Sequence, residues 1–244
     1  MDWDVRHVAE TESTNVDVAA AARDGAPEGT VIVADHQTAG RGRLDRTWEA
    51  PAGSGLAMSA LVRPEELEPT LWPWIPLMAG VATAEAVARL GLIAQLKWPN
   101  DVEIDGRKLA GILVERIESP ASGRYPHGRG TAAVVGIGLN VAMSADQLPI
   151  PTATSLILEG IEVDRDAVLT VVLEALGRCY DMLLVDAGAV RAAYLAACST
   201  VGSRVRIALP DGSTLDGDAT DVDEDGRLVV DGRPITAGDV VHVR

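Results

Sequence analysis

The sequence predicts an α+β protein, a mixed β-sheet packed with helices over residues 1–198 followed by a small C-terminal β-barrel over residues 199–244. Three observations carry this reading. Apolar, β-branched runs of strand length recur, as in "TVIVAD" and "TAAVVGIGLNVA"; alanine-rich stretches with helical spacing separate and follow them; and beyond about Ser199 short strand-like runs alternate with Asp-Gly pairs.

The elements follow in order. "TNVDVAAAARDG", residues 14–25, opens on capping-type polar residues and stops at Gly25, which predicts a helix. Thr30–Asp35 and the run from Gly55 to Val62 predict strands, so the Gly/Arg-rich stretch between them is a loop. Helical spacing runs from Pro76 to Leu90 and ends at Gly91. "AQLKW" reads as a strand, and Val102–Ile104, Asp105-Gly106 and "KLAGILVERI" as a hairpin. Thr131–Ala142 is a buried strand whose Gly136 and Gly138 allow a close approach by backbone or ligand. "SPASGRYPHGRG", Ser119 to Gly130, is expected as a mobile hairpin loop, and residues 165–200 as two helices. "VRIAL", "LDGDATDVD", "RLVV", "PITA" and "VVHVR" supply the strands of the barrel.

Composition excludes several functions. The 244 residues suffice for a well-buried core, and a hydrophobic share of 47% with 23% charged residues is that of a globular chain. No apolar run reaches the roughly 18 residues of a membrane helix, and the N-terminus "MDWDVRHVAE" resembles neither a secretory signal nor a transit peptide, so a cytoplasmic location is expected. A net charge of −15 repels polyanions, and from Asp211 onward nine acidic residues face three basic ones, so neither unit reads as a nucleic-acid binder. Cys179 and Cys198 read as buried free thiols, and the four scattered histidines argue against a zinc site.

Against that acidity, "AGRGRLDRTW" sets Arg41, Arg43 and Arg46 among the glycines at 40 and 42. Those glycines let the backbone adopt positive φ and bring amides close to a ligand, while the guanidiniums offer forked donors to carboxylate or phosphate. The same loop could equally be solvated and paired with nearby acids. Of 21 basic residues only Lys97 and Lys108 are lysine; in a chain whose coding bias favours arginine, both are candidates for positions needing a compact ammonium. Between them Pro99 stiffens a turn that presents Asn100 and Asp101 to a purine edge, a ribose or a magnesium ion, or simply forms an Asx-type turn. "ESTN", Glu12 to Asn15, either caps the first helix or hydrogen-bonds the polar head of a ligand.

Taken together, "STN" at 13–15, "QTAGRGR" at 37–43, "RTW" at 46–48, "KWPNDV" at 97–102, "GRKLAGIL" at 106–113 and "GIGLN" at 136–140 closely resemble the biotin protein ligase family. The resemblance implies a class II aminoacyl-tRNA synthetase-like catalytic domain with an SH3-like C-terminal barrel. It implies a reaction in which biotin attacks the α-phosphorus of magnesium ATP, giving biotinyl-5'-AMP and pyrophosphate, followed by transfer of biotin to a lysine of a biotin carboxyl carrier protein domain of a biotin-dependent carboxylase. Lys108, Arg43, Lys97 and Asp101 would carry the chemistry, with Asp101 a magnesium ligand. Ser13, Thr14, Asn15, Gln37, Gly40, Arg41, Arg43, Lys108 and Gly111 would hold biotin. Arg41, Gly42, Arg46, Trp48, Asn100 and Asn140 would hold the nucleotide, Trp48 covering adenine and Asn140 reading its edge.

The loop departs from the family's GRGRxGR pattern by placing Leu44-Asp45 before Arg46. With twelve residues before Ser13, the helix-turn-helix domain of some family members is not expected, and monomer and homodimer both stay open. Lipoate protein ligases share the fold and adenylation logic but lack the KWPND-type turn. An RNA clamp built on the arginine loop is opposed by the net charge.

Overall fold

The computed structural model describes residues 1–44, 46–120 and 129–243. Strands β1 (Asp4–Thr11), β2 (Thr30–Gln37), β3 (Gly55–Val62), β4 (Gln95–Lys97), β5 (Asp101–Ile104), β6 (Arg107–Pro120) and β7 (Arg129–Asn140) form one sheet in the order β1-β2-β3-β7-β6-β5-β4. β1 and β2 are parallel and the other pairings antiparallel, so the sheet is mixed. β1 was not expected. It is an edge strand with mostly exposed side chains, so it lacks the apolar run that betrays a buried strand.

The two faces of the sheet follow from the strand period of two. Val31 and Val33 of β2 join one apolar cluster and Ile32 between them joins another; in β7, Ala133, Val135, Ile137 and Leu139 face the first while Ala132 and Val134 face the second. Helices α2 (Trp74–Arg89), α3 (Arg165–Val185) and α4 (Ala187–Ala197) accompany the larger cluster, where Trp74 meets Tyr194 edge-on at 6.0 Å. Asp164 and Asp186 cap α3 and α4, the latter accepting Ala189 N–H at 3.0 Å. The smaller cluster lies under α1 (Thr14–Arg23), which buries Thr14, Asn15, Val18, Ala19 and Ala22. Ten residues of helix extend only about 15 Å, so α1 leaves part of that sheet face uncovered.

Beyond α4, strands β8 (Arg204–Ala208), β9 (Thr214–Val222), β10 (Leu228–Val230), β11 (Arg233–Ile235) and β12 (Asp239–His242) form a second sheet in the order β11-β10-β9-β8-β12. Among the described residues β11 and β12 do not pair, so the expected barrel is found as an open five-stranded sheet. Its Val205, Ile207, Val222 and Leu228 belong to the same apolar cluster as α2 and α3. Two buried indoles fasten it: Trp74 Nε1 donates to Glu224 O at 2.7 Å and Trp98 Nε1 to Gly226 O at 3.2 Å. Arg191 adds a bond to Val222 O at 2.8 Å.

Three expectations need correction. β6 and β7 pair as far as Pro120 and Arg129, so the ends of the expected 119–130 loop are strand, and residues 121–128 lie outside the described residues. Cys179 is buried in α3, but Cys198 ends α4 and is only partly buried. Finally, α2 starts at Trp74, two residues before Pro76, which its ring permits within the first turn of a helix.

Candidate active site

Where α1 stops covering the sheet, glycines hollow the exposed face. A Cβ on Gly138 of β7 would lie 2.7 Å from Trp48 Cδ2, and one on Gly111 of β6 would lie 3.3 Å from both Trp48 Cζ3 and Lys108 Nζ. Gly136 is filled in the same way by Asn15. The expected close approach is thus made by protein side chains, and the indole of Trp48, set against both glycines, forms part of the wall of a cleft. That cleft holds about 840 Å³ of space counted out through its open mouth.

The N-terminus of α1 forms one end. Ser13 occupies the cap position without a side-chain cap bond, so its hydroxyl is not committed to the helix. Thr14 N and Oγ1 donate to Gln37 Oε1 at 2.8 and 3.0 Å, which fixes the Gln37 amide at the end of β2. Beneath them the fully buried Ser59 hydroxyl lies 2.7 Å from Thr14 Oγ1 and 2.6 Å from Asn15 Oδ1. Asn15 Nδ2 donates to Glu115 Oε2 at 2.8 Å. Thr14, Asn15, Gln37, Ser59 and Glu115 are thus linked in one hydrogen-bonded chain, which suits buried groups that must hold a fixed orientation.

The other end carries the charge. Lys108 Nζ is 2.6 Å from Asp101 Oδ1, and Lys97 Nζ is 3.3 Å from Oε1 of the buried Glu103. In a regular strand Lys108 and Gly111 would face opposite sides of the sheet. A register shift opposite Val102 and Glu103 turns Lys108 toward the cleft, the re-aiming that a bulge performs. Asn100 Nδ2 donates to Ile112 O at 3.0 Å, and its Oδ1 accepts from Arg43 Nη1 at 3.3 Å. Burial lowers the Arg43 pKa, with Asp101 opposing and Arg46 assisting the shift, yet a guanidinium stays charged at any working pH.

The Gly/Arg loop folds over these groups as a small hairpin. Gly42 N donates to Arg46 O at 2.7 Å and Trp48 N to Gly40 O at 2.9 Å. Neither Gly40 nor Gly42 has positive φ; Leu44 does, at 54°. Gly40 is required for a different reason, because a Cβ there would stand 2.8 Å from Gln37 Nε2 and collide with the Trp48 carbonyl. Arg41 Nη1 pairs with Glu115 Oε1 at 3.1 Å, and Arg46 pairs with Asp239 of β12. Asp45 lies outside the described residues.

Ser13, Thr14, Asn15, Gln37, Arg41, Gly42, Arg43, Arg46, Trp48, Lys97, Asn100, Asp101, Lys108 and Gly111 all line this one cleft. Gly40 and Asn140 do not. Gly40 sits behind the Trp48 backbone. Asn140 is 3% exposed and donates to Thr154 O at 2.8 Å, while Thr154 N and Lys108 O, and Lys108 N and Thr152 O, bond at 2.9 and 2.8 Å. It therefore braces the segment that holds the Lys108 backbone. Sequence reading missed Ser59, Glu103, Glu115 and Asp239. Ser59 and Glu103 are polar residues flanked by apolar ones inside strands, which is a usable signal; Glu115, beside Arg116, carries none, and neither does Asp239, because only the docking of the second sheet brings it near.

Comparison with known proteins agrees with this geometry. Residues 8–140 match the Biotin/lipoate A/B protein ligase family, and residues 200–243 match the Biotin protein ligase C terminal domain. The biotin--[acetyl-CoA-carboxylase] ligase of Mycobacterium tuberculosis is 40% identical over 97% of this chain and 88% of its own length. That of Paracoccus denitrificans is 33% identical over 92% and 93% of the two chains. Biotin protein ligase from Aquifex aeolicus in complex with biotin and ATP superposes with a TM-score of 0.80, 26% identity and 99% coverage of both chains. The chain belongs to the biotin/lipoate A/B protein ligase family and carries the C-terminal domain of the biotin protein ligases.

Proposed function

We propose that this chain joins biotin to ATP, releasing pyrophosphate, and passes the biotinyl group from biotinyl-5'-AMP to a lysine of a biotin carboxyl carrier domain. The carrying observation is the cleft itself: a neutral hydrogen-bonding pocket at Ser13, Thr14 and Gln37 opens into a cluster of cations at Lys108, Lys97 and Arg43. That is the polarity of a molecule with an uncharged ring at one end and a carboxylate at the other. The ring system would sit on the floor ordered by Ser59, with the carboxylate beside Lys108.

Carboxylate and triphosphate repel each other, so joining them requires positive charge fixed in advance. In the first step a carboxylate oxygen bonds to the α-phosphorus and the bond to the pyrophosphate oxygen breaks. Lys108 supplies a point charge that can follow both oxygens, and Asp101 at 2.6 Å holds the ammonium in place. Trp48, braced on Gly138 and Gly111, offers its face to adenine. In the second step the carrier amine bonds to the acyl carbon and the AMP oxygen leaves.

Magnesium enters with the nucleotide in this reading. Phosphate oxygens and water would hold most of its coordination sites, with Asp101 the carboxylate placed to assist. The finer fold assignment, a class II synthetase-like unit over 1–198 and an SH3-like unit over 199–244, belongs to the same proposal, as do the cytoplasmic location and the absence of nucleic-acid partners. Among the described residues no helix is long and apolar enough to cross a membrane.

The test is transfer. Incubation with biotin, magnesium ATP and a recombinant biotin carboxyl carrier domain should add one biotinyl group, by intact mass, and none to a carrier whose target lysine is arginine. Equal labelling of both carriers would contradict specific transfer.

A further inference from the structure

The hairpin formed by residues 40–44 and 46–48 is tied down on both legs, and the two ties lead to different sheets. On one leg Arg41 meets Glu115 of β6, whose other oxygen is anchored by Asn15 at 2.8 Å. On the other leg Arg46 meets Asp239, the first residue of β12 in the C-terminal sheet. Between them Arg43 turns inward to Asn100. The loop thus divides its cations: Arg43 meets the neutral Asn100 amide, whereas Arg41 and Arg46 each meet a carboxylate. The C-terminal sheet is a firm anchor, because Trp74, Trp98 and Arg191 all bond to its backbone. The clasp is reversible, since the Arg46 and Asp239 side chains are 64% and 35% exposed and salt screens such a pair.

We propose that Asp239 is a positioning residue that latches the Gly/Arg loop to the C-terminal sheet across the mouth of the cleft, so that this sheet sets how long an acyl adenylate is retained. The inference rests on reading the cleft as an adenylate site. Its chemical consequence is simple. An adenylate that escapes is hydrolysed, water bonding to the acyl carbon while AMP leaves, and the ligase loses one ATP without product. Glu115 is the matching tie on the opposite leg.

Two measurements on the full chain separate the latch from the ligase reading. The first needs no substrate: limited trypsin digestion, with the cleaved bonds mapped by mass spectrometry, reads how often the loop opens at Arg41, Arg43 and Arg46. Asp239→Asn should speed cleavage at these bonds by about two- to fivefold at low ionic strength, the worth of a half-exposed ion pair, and should flatten the rise with salt expected of the native protein. Asp239→Glu should restore most of the protection and of the salt response. The second supplies biotin and magnesium ATP without carrier and compares AMP and free adenylate in the filtrate with adenylate left on the protein. The escaped fraction should rise in Asp239→Asn by the same factor as loop cleavage. Unchanged cleavage in Asp239→Asn, an unaltered salt response, or slower escape with tighter ATP binding, as expected of a carboxylate that merely competes with phosphate for Arg46, would overturn the latch. Faster cleavage in a protein whose native form makes no adenylate would support the latch and overturn the ligase reading alone.

Discussion

Lys108 is one of only two lysines in the chain, and both line the cleft. Its pairing with Asp101 at 2.6 Å, and the 3.3 Å separation between its Nζ and any Cβ at Gly111, leave little room for a longer, planar group. Lys108→Ala should lower pyrophosphate release by roughly 10²- to 10³-fold, the usual cost of one preorganised donor, and Lys108→Arg should not restore it. Near-native release by the arginine variant would refute the need for an ammonium. Asn140 gives a second prediction at this scale. As a brace for the Thr152–Thr154 segment it affects chemistry through Lys108, so Asn140→Ala should depress kcat with little change in the KM for ATP; a rise in KM at constant kcat would restore the adenine-reading role.

Much of the site was legible residue by residue, because rare lysines, a Gly/Arg loop and a Pro-Asn-Asp turn need no tertiary knowledge to stand out. What was not legible is which group each one meets. Glu115 and Asp239 are two unremarkable acids among 36, and only folding places them opposite Arg41 and Arg46.

At the scale of elements, the cleft exists because glycines replace side chains on one face of β6 and β7 and because α1 is too short to cover that face. The strands themselves were readable from their apolar runs, whereas β1 was not, its exposed edge position leaving no run to see. The glycine positions were readable as points of close approach, but the occupant, Trp48 from a distant loop, was not. Gly138→Ala tests this packing. The added methyl would strike the indole, so Trp48 must shift, and the KM for ATP should rise by about an order of magnitude, comparable with loss of one base–aromatic stack, while thermal stability changes little. An unchanged KM would show that Trp48 does not form the nucleotide wall. The bulge opposite Val102 and Glu103 is a further feature hidden in the sequence, since nothing in "VEIDGRKLAG" announces that Lys108 turns to the glycine face.

At the scale of the molecule, the second sheet is joined to the first unit by a shared apolar cluster and by His242, whose Nε2 lies 3.3 Å from Thr200 Oγ1, the acceptor of Trp98 N–H at 3.0 Å. Burial lowers the His242 pKa, nearby Lys97 adds to the shift and Glu103 opposes it. Unfolding therefore lets the imidazole take up a proton as pH falls through its ordinary value of 6.5, where the folded protein does not. The unfolded state then binds more protons, so this contribution is full above that pH, declines as pH falls through it and levels off below the lowered folded value. His242→Gln should make the melting temperature fall less than in the native protein between pH 8 and pH 5, by calorimetry on both proteins. Parallel curves would exclude His242 from the docking energetics. The change in sequence texture near Ser199 precedes the strands of the second sheet, but the reach of that sheet into the cleft follows from docking, which no local pattern encodes.

The central claim is that the cleft makes a biotinyl adenylate, and mass spectrometry of the protein mixed with magnesium ATP and either biotin or lipoate tests it most directly. The account predicts biotinyl-5'-AMP from the first mixture and no lipoyl adenylate from the second; an adenylate formed with lipoate alone would contradict it.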